Sequence, residues 1–168
     1  MHKIGDKVVY GANGVMTVVD IREELFDGLS RSYYVLSPVE ISTDSLTFVP
    51  CDNERLVEAM HPLLTKEEAI DLIRRSKEIP PVDWIEASRA RTDYFKKIME
   101  SGDREAIFGM IAAIDRCAKR REAEGKKNFI ADENARAKAQ RLLYSEFSVV
   151  LSVPEDQISA YIDSIEVK

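Results

Sequence analysis

The pattern of hydrophobic and polar residues changes at about position 65 of the chain. Before that point come four short runs rich in β-branched and aromatic residues, at positions 7–10, 15–21, 32–36 and 46–49. Turn-forming residues, Gly-Ala-Asn-Gly at 11–14 and Phe-Asp-Gly at 26–28, separate the first three runs. Short strands at this spacing, without helices between them, predict a small antiparallel β-barrel.

After position 65 the hydrophobic residues recur at the spacing of amphipathic helices. Thr65 and Glu68 have the spacing of a capping box, which predicts a helix to about residue 76. A longer helix is expected between Asp103 and Gly125. Its apolar stripe consists of Ile107, Met110, Ile111, Ile114, Cys117 and Ala118.

Two more helices are expected, one at about 132–151 and one beginning at Pro154, a residue suited to a first helical turn. The sequence therefore predicts an α+β protein. Its β-barrel domain is expected at residues 1–60 and its all-helical bundle at residues 61–168.

The only tryptophan of the chain, Trp84, follows a Pro-Pro pair at 80–81. Asp83 and Glu86 repeat the capping-box spacing. This spacing predicts a helix that has Trp84 at its first position and that ends at Gly102.

Charge is distributed unevenly along the 168 residues, whose net charge is −6. Residues 84–127 contain 11 Lys and Arg against 8 Asp and Glu, and are the basic part of the chain. A local excess of this size can contact phosphates but cannot dominate affinity for nucleic acid on its own.

Several classes of protein are not indicated. No apolar run reaches the ~18 residues of a membrane span, and the first residues lack the apolar core of a signal peptide, so we expect a cytoplasmic protein with no membrane partner. Cys51 and Cys117 lie far apart and are expected to be reduced. No catalytic motif, phosphate-binding loop or metal-ligand spacing is present in the sequence. We therefore expect no enzymatic activity, no cofactor or metal, and no small-molecule ligand.

One stretch of the sequence resembles a known family. "IGDKVVYGANGVMTVVDI" is similar to the opening of CarD-like bacterial transcription regulators, which share a G-D-x-V-V-Y-x-x-x-G core. "TFVPCDN" resembles the fourth strand and exit loop of clostridial members. The helical half is similar to the family more loosely, through the Trp after a Pro-containing linker, the following arginines and "SGD" at 101–103.

The resemblance implies a DNA-binding transcription regulator with two parts. An N-terminal Tudor-like barrel would dock on the β subunit of RNA polymerase. Docking through an exposed strand would be β-augmentation. The helical half would meet promoter DNA, without sequence specificity, at the upstream edge of the melted bubble. Such proteins modulate the lifetime of the open complex.

The resemblance implies polymerase contacts where the second strand ends and on the fourth strand: Arg22, Glu24, Phe26, Leu46 and Phe48. The sequence departs from the family at some of these positions. Glu24 stands where well-studied relatives have an arginine, and the fourth strand lacks the arginine of those relatives. Gly11 replaces a common proline.

The implied DNA contacts are Trp84, Arg89, Arg91, Lys119, Arg120, Lys126 and Lys127. Two interpretations of Trp84 stay open, an apolar wedge at a base step and the first residue of a core stripe shared with Phe95. The basic residues near 119–127 could contact phosphates or form a solvated face. A protein of another class also fits: an adaptor that binds polymerase or another partner through the barrel without touching DNA.

Overall fold

The computed structural model describes residues 1–39 and 45–166. The chain forms two compact units, Met1–Leu63 and Leu64–Lys168. The first unit is built on a sheet and the second on helices, which confirms the α+β class.

The first unit is built on an antiparallel sheet. Its strands within the described residues are β1 (Lys7–Tyr10), β2 (Val15–Phe26), β3 (Leu29–Pro38), β4 (Thr47–Pro50) and β5 (Met60–Pro62). Their order across the sheet is β4-β3-β2-β1-β5. A short helix, α1 (Glu54–Glu58), follows β4. The sequence pattern predicted neither this helix nor β5, and the barrel domain was expected to end at residue 60. Met60 is nevertheless buried in the sheet core, so the first unit extends to the end of β5.

The β2–β3 hairpin is long, and its shape depends on two local features. Asp27 and Gly28 occupy its turn with φ of 52° and 77°. Positive φ at both central residues is typical of a type I′ turn, whose twist matches that of the strands. The second feature is a β-bulge: Val18 pairs with Leu36, but Asp20 pairs with Val35. The extra residue exchanges the two faces of β2 beyond this point.

Over residues 64–166, the described part of the second unit, there are five α-helices: α2 (Lys66–Arg74), α3 (Ser88–Ser101), α4 (Arg104–Ala123), α5 (Ile130–Leu151) and α6 (Ile158–Glu166). The predicted stripe of α4 supplies Ile107, Met110, Ile114 and Cys117 to the buried interior. The first capping box is also confirmed. Thr65 Oγ1 accepts from Glu68 N at 3.2 Å, and Thr65 N donates to Glu68 Oε2 at 2.8 Å.

The second predicted capping box is wrong. Helix α3 begins at Ser88, and Trp84 lies in a non-helical segment before it. Tertiary contacts satisfy the backbone of this segment instead. Val82 N donates to the Gly109 carbonyl of α4 at 3.1 Å. The carbonyls of residues 85 and 86 accept from the side chain of Arg91 at 2.8 and 3.0 Å.

Gly109 allows the segment before α3 to lie directly against α4. A Cβ at this position would be 2.9 Å from the Pro80 oxygen and 3.0 Å from Val82 Cγ1. We expect Gly109→Ala to lower the free energy of unfolding, because overpacking costs about 1–3 kcal/mol. That cost should exceed the gain of about 1 kcal/mol in helix propensity.

Thermal unfolding and the emission of Trp84, the only tryptophan, would measure both consequences of Gly109→Ala. Emission should shift because the displaced segment carries Trp84. A raised melting temperature with unchanged emission would show that the close contact at Gly109 does not constrain the segment.

Candidate functional site

An aromatic cluster lies on the face of the sheet opposite the core of the first unit. We call it the outer-face patch and define it by Arg22, Glu24, Phe26, Tyr33 and Phe48. The three rings contact one another edge to face, with centroids 5.2 Å apart for Phe26–Tyr33, 5.9 Å for Phe26–Phe48 and 6.1 Å for Tyr33–Phe48. Such pairs are favourable beyond the area they bury.

Charged side chains border these rings. The Arg22 guanidinium lies 5.5 Å from the centre of the Phe48 ring, and its Nε is 2.6 Å from Glu24 Oε1. Phe26 is 48% exposed, whereas Tyr33 is buried. The patch therefore combines an accessible ring, a cation paired with Glu24 and a supporting aromatic layer.

Four of the five predicted polymerase-contact residues belong to the outer-face patch. The fifth, Leu46, is exposed immediately before β4. Tyr33 was missed, although it pairs directly with Arg22 across the hairpin. The bulge decides which β2 residues share a face with Tyr33, and the sequence gives no clear sign of that bulge.

Trp84 in the second unit is half-buried. Its ring centroid lies 6.2 Å from that of the buried Phe95, and the Arg91 guanidinium carbon lies 4.5 Å from its ring centre. The side chain therefore packs on the helical core and is also accessible. Its contact with Phe95 fits the interpretation as a core residue, and its accessible part fits the interpretation as an apolar wedge.

A groove of about 390 Å³ runs beside Trp84. Its lining consists of Pro81, Val82, Asp83, Trp84, Ala113, Arg116, Cys117 and Arg120. Arg116 and Arg120 lie one turn apart on α4, so both face the same groove. Arg120 was among the predicted DNA contacts, but Arg116 was missed despite its i, i+4 spacing. We call this surface the Trp84 groove.

Arg91 does not belong to an accessible surface. It is 1% exposed, and it forms a bidentate ion pair with Asp132, with Nε–Oδ1 and Nη2–Oδ2 distances of 2.9 and 3.0 Å. The expectation that Arg91 contacts DNA directly is therefore wrong, because its guanidinium is buried and hydrogen-bonded to protein groups.

Comparison with known families addresses the first unit. Residues 2–63 match the family model of the CarD-like/TRCF RID domain, and this match includes all five strands. The first unit is a CarD-like RID domain. It is thus an RNA polymerase-interacting domain of transcription-related proteins. No curated protein matches the chain.

The remaining predicted DNA contacts lie outside the RID domain and outside the lining of the Trp84 groove. Arg89, Lys119, Lys126 and Lys127 are all exposed. Lys126 Nζ is 3.0 Å from Glu124 Oε2, and its hydrogen bond lowers the pKa of that carboxyl group. Lys126 therefore has a carboxylate beside it in the free protein.

A larger cavity, of about 530 Å³, lies between α4 and α5 and has side chains of both charges in its lining. Arg136 donates there to Asp115 at 2.5 and 3.2 Å, and this hydrogen bonding raises the pKa of the guanidinium. Within the described ranges, no group of His, Cys, Asp and Glu side chains could hold a metal ion. No helix in those ranges has the length and apolar character needed to cross a membrane.

Proposed function

We propose that this protein regulates transcription by docking on the β subunit of RNA polymerase and contacting promoter DNA near the upstream edge of the bubble. The RID domain would make the polymerase contact and the helical unit the DNA contact. Together they would modulate the stability of the open complex. The observation that carries the DNA contact is the accessible, half-buried Trp84 beside two arginines in a chain that has an RID domain.

The outer-face patch supports the choice of a docking surface. Aromatic residues, including Phe, and arginine are enriched at protein interfaces, and Trp, Tyr and Arg are enriched among the side chains that dominate binding energy. Phe48 also lies on β4, which is an edge of the described sheet. A strand of the polymerase that pairs with β4 would therefore lie beside the aromatic cluster.

The Trp84 groove supports a contact with distorted DNA. Apolar side chains inserted at a base step help to hold a duplex kinked or unstacked. Arg116 and Arg120 can bind the adjacent phosphates. With so few cations, binding to free DNA should be weak, insensitive to sequence, and only modestly dependent on salt.

Two observations favour the adaptor function, in which the RID domain binds polymerase and the second unit does not touch DNA. The net charge is −6, and Arg91 is buried. The two functions differ in what the Trp84 groove does, so substitutions in this groove separate them.

The docking proposal gives a prediction about the outer-face patch. Phe26→Ala should weaken binding of the full chain to polymerase by about tenfold or more, as expected for an interface residue worth more than ~1.4 kcal/mol. The fold should persist because Phe26 is substantially exposed. Titration with core polymerase would measure the affinity, and cross-linking would identify the subunit.

Ile4→Ala is the matched control for Phe26→Ala, since Ile4 is an exposed apolar residue of the same unit outside the patch. Its affinity for polymerase should equal that of the wild type. Wild-type affinity for the Phe26 variant, or cross-links to subunits other than β, would contradict the docking proposal.

The proposed DNA contact gives a prediction about the Trp84 groove. Trp84→Ala should shorten the lifetime of promoter open complexes, because the distorted base step loses its apolar support. Arg120→Ala should shorten it less, through the loss of one phosphate contact. Since Trp84 is half-buried, its truncation should also destabilise the protein by about 1–3 kcal/mol.

Lys138→Ala is the control for charge, because it removes one positive charge from an exposed position of α5 outside the groove lining. Thermal unfolding would establish that each variant is folded at the temperature of the lifetime assay. If folded variants with substituted Trp84 and Arg120 leave the lifetime unchanged while polymerase binding persists, the adaptor function is the correct one.

A further inference from the structure

Four side chains of the helical unit form an alternating stack of aromatic rings and guanidinium groups. The Arg91 guanidinium carbon lies 4.5 Å from the ring centre of Trp84 and 5.1 Å from that of Phe129. On Phe129, the Arg121 guanidinium carbon lies at 4.0 Å. The stack therefore connects Trp84, before α3, with Phe129, immediately before α5.

Hydrogen bonds fix the Arg91 guanidinium within this stack. Nε and Nη2 donate to the two carboxylate oxygens of Asp132, which is itself buried. Nη1 donates to the carbonyls of Ile85 and Glu86, the two residues after Trp84. One planar group thus contacts the indole, holds the backbone beside it, and attaches both to α5.

Packing alone does not account for an arginine at this position. Burying a charge is costly, and well-packed apolar residues often replace a buried ion pair with no loss of stability. An apolar side chain could fill the space beneath Trp84, but it could not bind the two carbonyls. The guanidinium has the planar, directional donors that set an orientation.

We propose that Arg91 is a positioning residue for Trp84. It holds the indole and the segment at residues 84–86 in the orientation that presents the ring at the Trp84 groove. Asp132 and Phe129 fix Arg91 in turn. The consequence for transcription rests on the proposed contact between Trp84 and promoter DNA, whereas the orientation of Trp84 can be measured in the free protein.

The test uses Arg91→Lys in the full chain. Lysine keeps the charge but loses the bidentate pair and the planar stacking. Because Trp84 is the only tryptophan, selective excitation reports on this residue alone. We expect lower fluorescence anisotropy, stronger quenching by acrylamide and a red-shifted emission maximum. The lifetime of open complexes should fall toward that of Trp84→Ala.

Arg104→Lys is the matched control. Arg104 also makes a bidentate pair with a buried carboxylate, donating to Glu146 at 2.9 and 2.7 Å. Glu146 lies 14 residues beyond Asp132 on α5, about 21 Å along the helix axis, so this pair is distant from the ion pair of Arg91. The variant should lower the melting temperature while leaving the fluorescence of Trp84 and the lifetime of open complexes unchanged.

A second variant guards against unfolding of Arg91→Lys. Phe129 is 40% exposed, so Phe129→Leu should fold while removing the ring from the other face of Arg91. It should change the fluorescence of Trp84 in the same direction, by a smaller amount. If Arg91→Lys does not fold, this variant decides the question.

The proposal is overturned if the folded variants keep the anisotropy and quenching of the wild type. It is also overturned if the Arg104 control changes the fluorescence as much as Arg91→Lys does. If Trp84→Ala leaves the lifetime unchanged, the proposed DNA contact fails. The fluorescence measurements then still determine whether Arg91 positions Trp84.

Discussion

The ion pair between Arg91 and Asp132 determines how the helical unit displays its only tryptophan. It joins α3 to α5, and the same guanidinium binds the backbone that precedes α3. Without the Arg91 guanidinium, the carbonyls of residues 85 and 86 would lose their hydrogen-bond donor, and the indole would lose its cation–π contact. A single buried charge thus links the core of the bundle to the surface at Trp84.

In the RID domain, a β-bulge in β2 determines which side chains form the outer-face patch. The bulge between Val18 and Asp20 places Arg22, Glu24 and Phe26 opposite the core, on the same face as Tyr33. Regular pairing would have turned these three side chains toward the interior, because side chains alternate along a strand. The aromatic patch therefore depends on one inserted residue in β2.

Local signals in the sequence predicted the structure well wherever local interactions determine it. The capping box at Thr65 and the end of α3 at Gly102 need only neighbouring residues. The start of α3 was mispredicted because tertiary contacts hold the preceding segment out of the helix. The Gly109 carbonyl accepts from Val82 N, and the Arg91 side chain donates to the carbonyls of residues 85 and 86. The same limit applies to the candidate DNA contacts. Arg91 was assigned to DNA through the family resemblance and is buried, whereas Arg116 was not assigned and lines the groove beside Trp84.

The small number of accessible cations at the Trp84 groove is compatible with the proposed function. Docking through the RID domain would make the DNA contact effectively intramolecular, so the second contact needs little affinity of its own. The acidic remainder of the chain would at the same time disfavour association with free DNA, since like charges repel over a Debye length of about 8 Å at physiological salt. Weak intrinsic binding would then confine the action of Trp84 to DNA that polymerase already holds open. On this argument, orienting Trp84 correctly contributes more to function than adding further basic residues would.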